Sequence, residues 1–399
     1  MGGRRASART FALLLCLAAL CCSARVSGQN VVSGLGRTEP VGPPVAVADE
    51  VAQRLVAHWP AFAPVGSELG RELAQRLEGE ARALLDAWPL APLVVELGIS
   101  GEWAAFTRPE DTVLTLSWAY PYLQETTRKR VRALLAEQVK LLADASARYR
   151  VDQGSRREPY RLPGYVIARS KGRSDPQSPY ALYCAWAYTC YVEPGARAEV
   201  WRAVRPRAER ACEASFSFDP KQPDAAQVLN GYIAGLLGAA RLARACGEES
   251  MARAATARLR ELLQLRANFE KDNTVLVVSM RGAVGGAHAA KVSRYLDLVP
   301  ELGLALRDLV PQAAEENVRT LERRFPVWYF AWGERLIGGE NYINPPHFAR
   351  AVFCAQAMVS RRSGEELARR LDVPWCVGDL WHMQKLALTL WALGGYRWT

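Results

Sequence analysis

The segment LNGYIAGLLGAARLARACGEE, residues 229 to 249, decides the fold class of this chain. It is apolar on almost every side of a helical turn, and it ends at Gly247, just before a charged segment. A helix that is apolar all round is buried, and glycine commonly follows the last residue of a helix. The segment therefore predicts a buried helix that stops at Gly247 and is followed by a more polar partner.

The same contrast between neighbouring helices recurs along the chain. Two segments are apolar almost all round: YALYCAWAYTCYV (180–192) and AAQVLNGYIAGLLGAARLA (225–243). Their successors show only a narrow apolar stripe: AEVWRAVRPRAERACEA (198–214) and SMARAATARLRELLQL (250–265). Helical periodicity from residue 46 onward fits about a dozen helices. Only TVLVVSM (274–280) has the pattern of a strand. Because buried and more polar helices alternate along one chain, we expect inner and outer helices in concentric rings.

Several predicted helices share a start signal. A residue that caps helices well precedes a proline or an apolar run at four places: Ser178, Asp224, Asn344 and Asp379. Their side chains can accept hydrogen bonds from the first free N–H groups, and proline in the first turn has no N–H to leave unpaired.

This pattern resembles the (α/α) toroids of the six-hairpin glycosidase-like superfamily, which also includes related polysaccharide lyases. The residues that carry the resemblance are LNGYIAGLLGAARLARACGEE (229–249) and the closing GDLWHMQKLALTLWALGGY (378–396). The resemblance covers the architecture of residues 46–399 and implies one all-α toroid domain of about twelve helices in hairpins. It also implies an active cleft at one mouth of the inner ring, lined by the loops that enter the inner helices. No catalytic motif of the family matches, so no acid or base is carried over from it.

Residues 1–28 have the features of a signal peptide. Arg4, Arg5 and Arg9 precede the apolar run FALLLCLAALCC (11–22), and small residues follow where a signal peptidase cuts. The run is shorter than the ~20 residues that span a bilayer, so we expect export to the periplasm or outside the cell, without a stable membrane anchor. The Gly- and Pro-rich residues 29–45 are interpreted as a flexible lead-in.

Charge and cysteine content narrow the class of partner. Removal of residues 1–28 as a signal peptide takes away four arginines and no acidic residue, so the net charge falls from +10 to +6. No run of basic residues suggests binding to nucleic acid, but the positive net charge is compatible with an acidic polysaccharide as the ligand.

Six cysteines remain, and we expect them to be mostly buried, with one disulfide at most. Neither CxxC nor HxxxH occurs, so we predict no metal site and no cofactor.

The loop GGENYINPPHF (338–348) is the first candidate site. Its glycines, Asn344 and prolines are explained as a turn followed by a helix start, and this account leaves Glu340, Asn341 and Tyr342 without a role. A carboxylate, an amide and a phenol can all hydrogen-bond sugar hydroxyls. We therefore consider two interpretations: these side chains face a ligand, or they only precede the start of a helix.

A second candidate loop, SMRGAVGGAHAAK (279–291), carries Arg281 and His288. It has neither the order of a phosphate-binding Walker loop nor that of a dinucleotide fingerprint. Its glycines allow close approach of the backbone to a ligand, and His288 can act as acid or base near neutral pH. The alternative is an ordinary connection. His58 and His382 are interpreted as structural.

Hydrolysis of a glycosidic bond generally uses two carboxylates, one protonated and one ionised. The candidates at predicted helix mouths are Glu340, Asp111, Asp224 and Asp379. The three aspartates are equally well explained as helix caps, whereas Glu340 is not.

Tryptophan rings can stack on the apolar face of a sugar. Trp328 and Trp332 are four residues apart and so share one face of a helix, and Trp118 lies near a predicted inner helix. Packing in the core is the competing interpretation for all three, as it is for Trp186 and Trp381.

The sequence thus favours an exported glycoside hydrolase that acts on a poly- or oligosaccharide through Glu340 and one of the three aspartates. One alternative is a polysaccharide lyase, in which Arg281 or Asn341 neutralises a uronate and His288 or Tyr342 removes the proton. The other is an exported helical scaffold that binds a glycan or a protein without chemistry.

Overall fold

The computed structural model describes most of the chain after residue 44. The described residues are 45–88, 94–96, 103–105, 108–144, 147–150, 166–169, 179–213, 225–271, 294–324, 345–374 and 378–399. They belong to one compact unit, Pro40–Thr399.

The described residues are predominantly helical. Thirteen α-helices, α1 to α13 in chain order, have these bounds: Val45–Ala57, Glu68–Ala87, Pro109–Ala119, Glu125–Gln138, Tyr180–Tyr191, Arg197–Glu213, Ala225–Ala245, Glu249–Lys271, Pro300–Leu309, Pro311–Arg324, Pro345–Cys354, Gly364–Ala368 and Leu380–Leu393. A π-helical turn, Ala355–Val359, continues α11. Short 3-10 turns lie at Tyr120–Tyr122, Val139–Ala143 and Pro194–Ala196. The prediction of an all-α fold is confirmed.

Four short strands form two antiparallel pairs. Strands β1 (Val94–Glu96) and β2 (Trp103–Ala105) pair with each other, as do β3 (Ala147–Arg150) and β4 (Val166–Arg169). None of the four was predicted, because three or four residues are too few for a periodic pattern. The predicted strand 274–280 lies outside the described residues.

Buried and half-buried helices alternate along the chain. Every residue of α3 is buried, and so are nearly all of α5 and α13. Their neighbours α2, α4, α6 and α8 instead bury one stripe, such as Leu73, Leu77, Ala81 and Leu84 of α2. This confirms the predicted contrast between 180–192 and 225–243 and their more polar successors.

The buried helices contact one another in a definite order. Helix α3 contacts α5, α5 contacts α7, α7 contacts α9, and α9 contacts the π-helical turn. Helix α11 contacts α13, and α13 contacts α3. The more polar helices pack against these, as α8 does against α7 and α2 against α13.

Two helix ends confirm their sequence signals. The Asp379 side chain accepts hydrogen bonds from the N–H groups of Trp381 and His382 at the start of α13. Gly247 follows α7 with a φ of +76°, the left-handed conformation that glycine adopts freely. Ser178, Asp224 and Asn344 lie outside the described residues, although α5, α7 and α11 begin directly after or near them.

Within the described residues, five cysteines carry free thiols: Cys184, Cys190, Cys212, Cys246 and Cys354. Cys376 lies outside them. No helix in the described ranges is both long enough and apolar enough to cross a membrane.

Candidate functional site

A largely buried polar cluster lies where several of the buried helices begin. We call it the Asp–Arg cluster, and its members are Arg108, Asp111, Tyr180, Gln227, Asp297 and Arg350. Arg108 is the N-cap of α3 and Asp111 lies in its first turn. Tyr180 is the first residue of α5, Gln227 lies in the first turn of α7, and Asp297 precedes α9. Residues far apart in the sequence meet here because these helices start side by side.

Arg108 joins the two carboxylates of the cluster. Its Nε and Nη2 donate to Asp111 at 3.1 and 3.2 Å, and its Nη1 and Nη2 donate to Asp297 at 3.1 and 2.8 Å. Both aspartate side chains are only 4% exposed. Two oxygens that each lie one hydrogen bond, about 3 Å, from the same nitrogen are at most about 6 Å apart. The carboxylates are therefore close neighbours.

Asp297 is fixed in an ionised form. Its carboxylate also accepts a hydrogen bond from Gln227 Nε2 at 3.0 Å. Burial alone would raise the pKa of Asp297, but Arg108, together with Arg350 and Gln227, outweighs burial and holds that pKa well below its ordinary value. Its φ of 51° lies in the left-handed region, which residues other than glycine seldom occupy.

Arg350 places a second guanidinium beside the same carboxylates. It is buried, and its Nε donates to Gln384 Oε1 at 2.9 Å, while Gln384 Nε2 donates to Thr115 Oγ1 at 2.7 Å. Burial acts to lower the pKa of Arg350, but the charge of Asp111, together with Cys354, Tyr180 and Asp297, outweighs it and raises that pKa. The chain of hydrogen bonds ties α11, α13 and α3 together behind the cluster.

Tyr180 of the cluster and the neighbouring Cys184 stay neutral. The Arg108 guanidinium lies 5.6 Å from the centre of the Tyr180 ring. Burial raises the pKa of the Tyr180 phenol and of the Cys184 thiol one turn further along α5 well above their ordinary values. A thiol must ionise to act as a nucleophile, so Cys184 is not suited to that role.

A second cluster of polar side chains surrounds His382 at the start of α13. His382 Nδ1 lies 3.1 Å from Asp372 Oδ1, and Lys385 Nζ bonds the other oxygen of the same carboxylate. Burial acts to raise the pKa of Asp372, but His382 and Lys385 outweigh it and lower that pKa. His382 also lies in the turn that Asp379 caps. These bonds support the structural interpretation of His382.

Of the predicted site residues, three lie in the described part of the chain. Asp379 caps α13, where its side chain accepts hydrogen bonds from the N–H groups of Trp381 and His382. Asp111 belongs to the Asp–Arg cluster, where its carboxylate is bound to Arg108. Trp118 is 1% exposed, with its ring 5.6 Å from that of Phe62, which favours packing over sugar stacking. The other predicted site residues lie outside the described residues: Asp224, Arg281, His288, Trp328, Trp332, Glu340, Asn341 and Tyr342.

Sequence reasoning missed most of the cluster. Asp297 was overlooked because α9 was not among the predicted helices. Its signal was present, since Pro300 opens the helix and Leu302, Ala305, Leu306 and Leu309 have the spacing of one helix face. Arg108 and Arg350 had no signal of their own, because an isolated arginine is usually exposed.

No group of three or more His, Cys, Asp or Glu side chains in the described residues is arranged to hold a metal ion. Comparison of the chain with protein-family models, with curated proteins and with solved structures gave no match. The function is therefore argued from the geometry alone.

Proposed function

We propose that this chain is an exported carbohydrate-active enzyme, a glycoside hydrolase that acts on a poly- or oligosaccharide. Residues 1–28 serve as its signal peptide in this proposal. The observation that carries it is the convergence of Asp111 and Asp297 on Arg108 where the buried helices begin. Cleavage of a glycosidic bond generally uses one ionised and one protonated carboxylate about 5 to 9.5 Å apart, and this convergence would supply the ionised one.

In this proposal the buried helices form the inner ring of an (α/α) toroid. The support is the order of their contacts, which runs from α3 through α5, α7 and α9 to the π-helical turn that continues α11, and from α11 through α13 back to α3. The strict alternation with half-buried helices fits six hairpins around such a ring. Helix α1 is additional and packs against α8 and α9.

The lengths of the connections favour one end of the ring as the mouth. The stretches that lead into buried helices are long: 88–108, 144–179, 214–224, 272–299, 325–344 and 369–379. The stretches that leave them are short: 120–124, 192–196, 246–248, 310 and 360–363. Long loops on a rigid scaffold commonly build binding sites. The Asp–Arg cluster lies at the end that the long connections enter.

Asp297 would supply the ionised carboxylate, as base or nucleophile, because its pKa is held low. The protonated partner would be Glu340. The stretch that contains Glu340 leads directly into α11, the helix that carries Arg350 of the cluster. Asn341 and Tyr342 in the same stretch would hydrogen-bond sugar hydroxyls.

The test is a substrate panel. Purified protein is incubated with neutral and uronate-containing polysaccharides, and the products are assayed for reducing ends and for absorbance near 235 nm, an approximate value for an unsaturated uronate. The proposal expects reducing ends without that absorbance, and their loss in Glu340→Gln. Absorbance that depends on His288 would identify a lyase instead. Glycan binding without product, unaffected by either substitution, would identify a scaffold.

A further inference from the structure

Two arginines lie side by side at the opposite end of α9 from the Asp–Arg cluster. Arg307 is in the last turn of α9, and Arg361 follows the π-helical turn. The two elements touch at Gly303, where an added Cβ would lie 2.6 Å from the carbonyl oxygen of Met358. Arg307 is one turn beyond Gly303, and Arg361 is three residues beyond Met358. The backbone contact therefore brings the two side chains together.

The Arg361 side chain is held in place by aromatic rings. Its guanidinium lies 5.1 Å from the centre of the Tyr396 ring and 5.7 Å from that of Trp398. The Tyr396 hydroxyl donates to the carbonyl oxygen of Arg362 at 2.5 Å, which fixes the ring against this turn. Arg361 itself has a φ of 49°, a backbone conformation that usually selects glycine or asparagine at a helix end.

Both guanidiniums have buried donors without an acceptor. Arg307 Nη1 and Arg361 Nη2 are inaccessible to solvent and make no hydrogen bond to any described residue. An arginine N–H can only donate, so a buried one without an acceptor requires an explanation.

The nearby carboxylates are already engaged elsewhere. Asp308 is bound by Arg54, and Glu322 is bound by Arg362 at 3.0 Å and lies 3.5 Å from Arg370. Burial, followed by the charge of Arg307, lowers the pKa of Arg361. Both arginines are half-buried rather than fully enclosed, and their two adjacent positive charges favour a bound anion.

We propose that Arg307 and Arg361 form a binding site for an oxyanion, a phosphate or carboxylate group that accepts hydrogen bonds from both guanidiniums. The planar fork of arginine suits such a group, because it can donate two parallel bonds to its oxygens. The site is separate from the Asp–Arg cluster and does not depend on the proposed hydrolase activity.

The experiment measures thermal unfolding with added sodium phosphate or sodium acetate, each compared with sodium chloride at the same ionic strength. We expect phosphate or acetate to raise Tm by about 2 °C or more at millimolar concentration, because a ligand that binds only the folded state stabilises it. A response to phosphate alone identifies a phosphate group, and an equal response to acetate identifies a carboxylate.

Substitutions of the two arginines test whether the anion-dependent rise in Tm comes from this site. Arg307→Gln removes one charge, and Arg361→Asn removes the other while retaining a residue that tolerates the left-handed backbone. Each is expected to lose the anion-dependent rise in Tm, whereas the exposed control Arg369→Gln retains it. Circular dichroism confirms that each variant is folded. An equal Tm in all three salts, or variants that respond as the wild type does, would overturn the proposal.

Discussion

Asp297 combines three features, each of which costs folding free energy. It is buried, ionised and held in the left-handed backbone region, which costs an ordinary residue roughly 1–2 kcal/mol. Such a residue persists only where its surroundings determine its position, and Arg108 and Gln227 do so here. Strained charged residues of this kind concentrate at functional sites.

Removal of Arg108 tests how much the cluster stabilises the fold. Arg108→Ala leaves Asp111 and Asp297 buried without their shared partner. We expect it to lower the free energy of unfolding by about 3 kcal/mol, measured by urea denaturation. The matched control is Arg130→Ala, which breaks a pair with Asp86 whose side chains are 47% and 64% exposed. That change is expected to cost less than about 1 kcal/mol. Equal losses in the two variants would contradict the account.

The acid dependence of stability follows from the low pKa of Asp297. The pKa of Asp297 in the folded state lies below its value in the unfolded state, which is about 3.9. Between these two pKa values the unfolded chain binds more protons than the folded chain. The stabilisation is fully present above about pH 4 and is lost as the pH falls through the folded-state pKa.

Asp297→Asn is therefore expected to differ most from the wild type above about pH 4, with the difference shrinking in more acidic solution. Unfolding free energies measured at a series of pH values check this. A difference that is constant with pH would contradict the assignment of an ionised Asp297.

At the scale of elements, two glycines set the distance between α5 and α7. A Cβ added at Gly235 or Gly238 would lie closer than 3.0 Å to the carbonyl oxygens of Pro179 or Leu182. The helices can approach so closely only because these positions have no side chain. Gly235 and Gly238 thus determine how tightly this buried helix packs.

Gly238→Ala is expected to destabilise the protein, although alanine has the higher helix propensity by about 1 kcal/mol. The clash at Leu182 outweighs that gain, since overpacking typically costs 1–3 kcal/mol. The matched control is Gly79→Ala in α2, where nothing lies within 4 Å of the added Cβ and a modest stabilisation is expected. Thermal unfolding of the two variants should give shifts in Tm of opposite sign. A rise in both would show that the helices are not in close contact.

The sequence predicts the elements better than it predicts the site. Helical periodicity and end signals such as Gly247 and Asp379 are local, so they identify most of the helices and their burial. Helix α9 was missed although the spacing of the apolar residues within Pro300–Leu309 predicts a helix. The pairing of Arg108 with Asp297 depends on which helices lie side by side. That is a property of packing between distant segments, which no local pattern records.

At the scale of the whole molecule, the end of the chain is joined to the first helices. The backbone N–H of Thr399 donates to the carbonyl of Trp59 at 2.9 Å, and that of Ala61 donates to Arg397 at 2.9 Å. Helix α13 packs against α2, α3, α11 and α12. The contacts of α13 therefore link the beginning and the end of the described chain.

Deletion of residues 378–399 is expected to abolish cooperative unfolding of the whole unit, because it uncovers the faces of α2 and α3 that α13 buries. Urea denaturation checks this through the m-value, which scales with the surface exposed on unfolding. The control is a chain that lacks only residues 1–28, for which we expect an unchanged transition. A truncated chain with the full m-value would mean that α13 is dispensable.

The central claim is that the Asp–Arg cluster belongs to a site that cleaves glycans. The most direct measurement is kcat/KM for the release of reducing ends from an active polysaccharide by Asp297→Asn, compared with the exposed control Asp86→Asn. We expect a fall of at least about 100-fold for Asp297→Asn and none for Asp86→Asn, with both proteins folded. A folded Asp297→Asn variant with wild-type kcat/KM would contradict the claim.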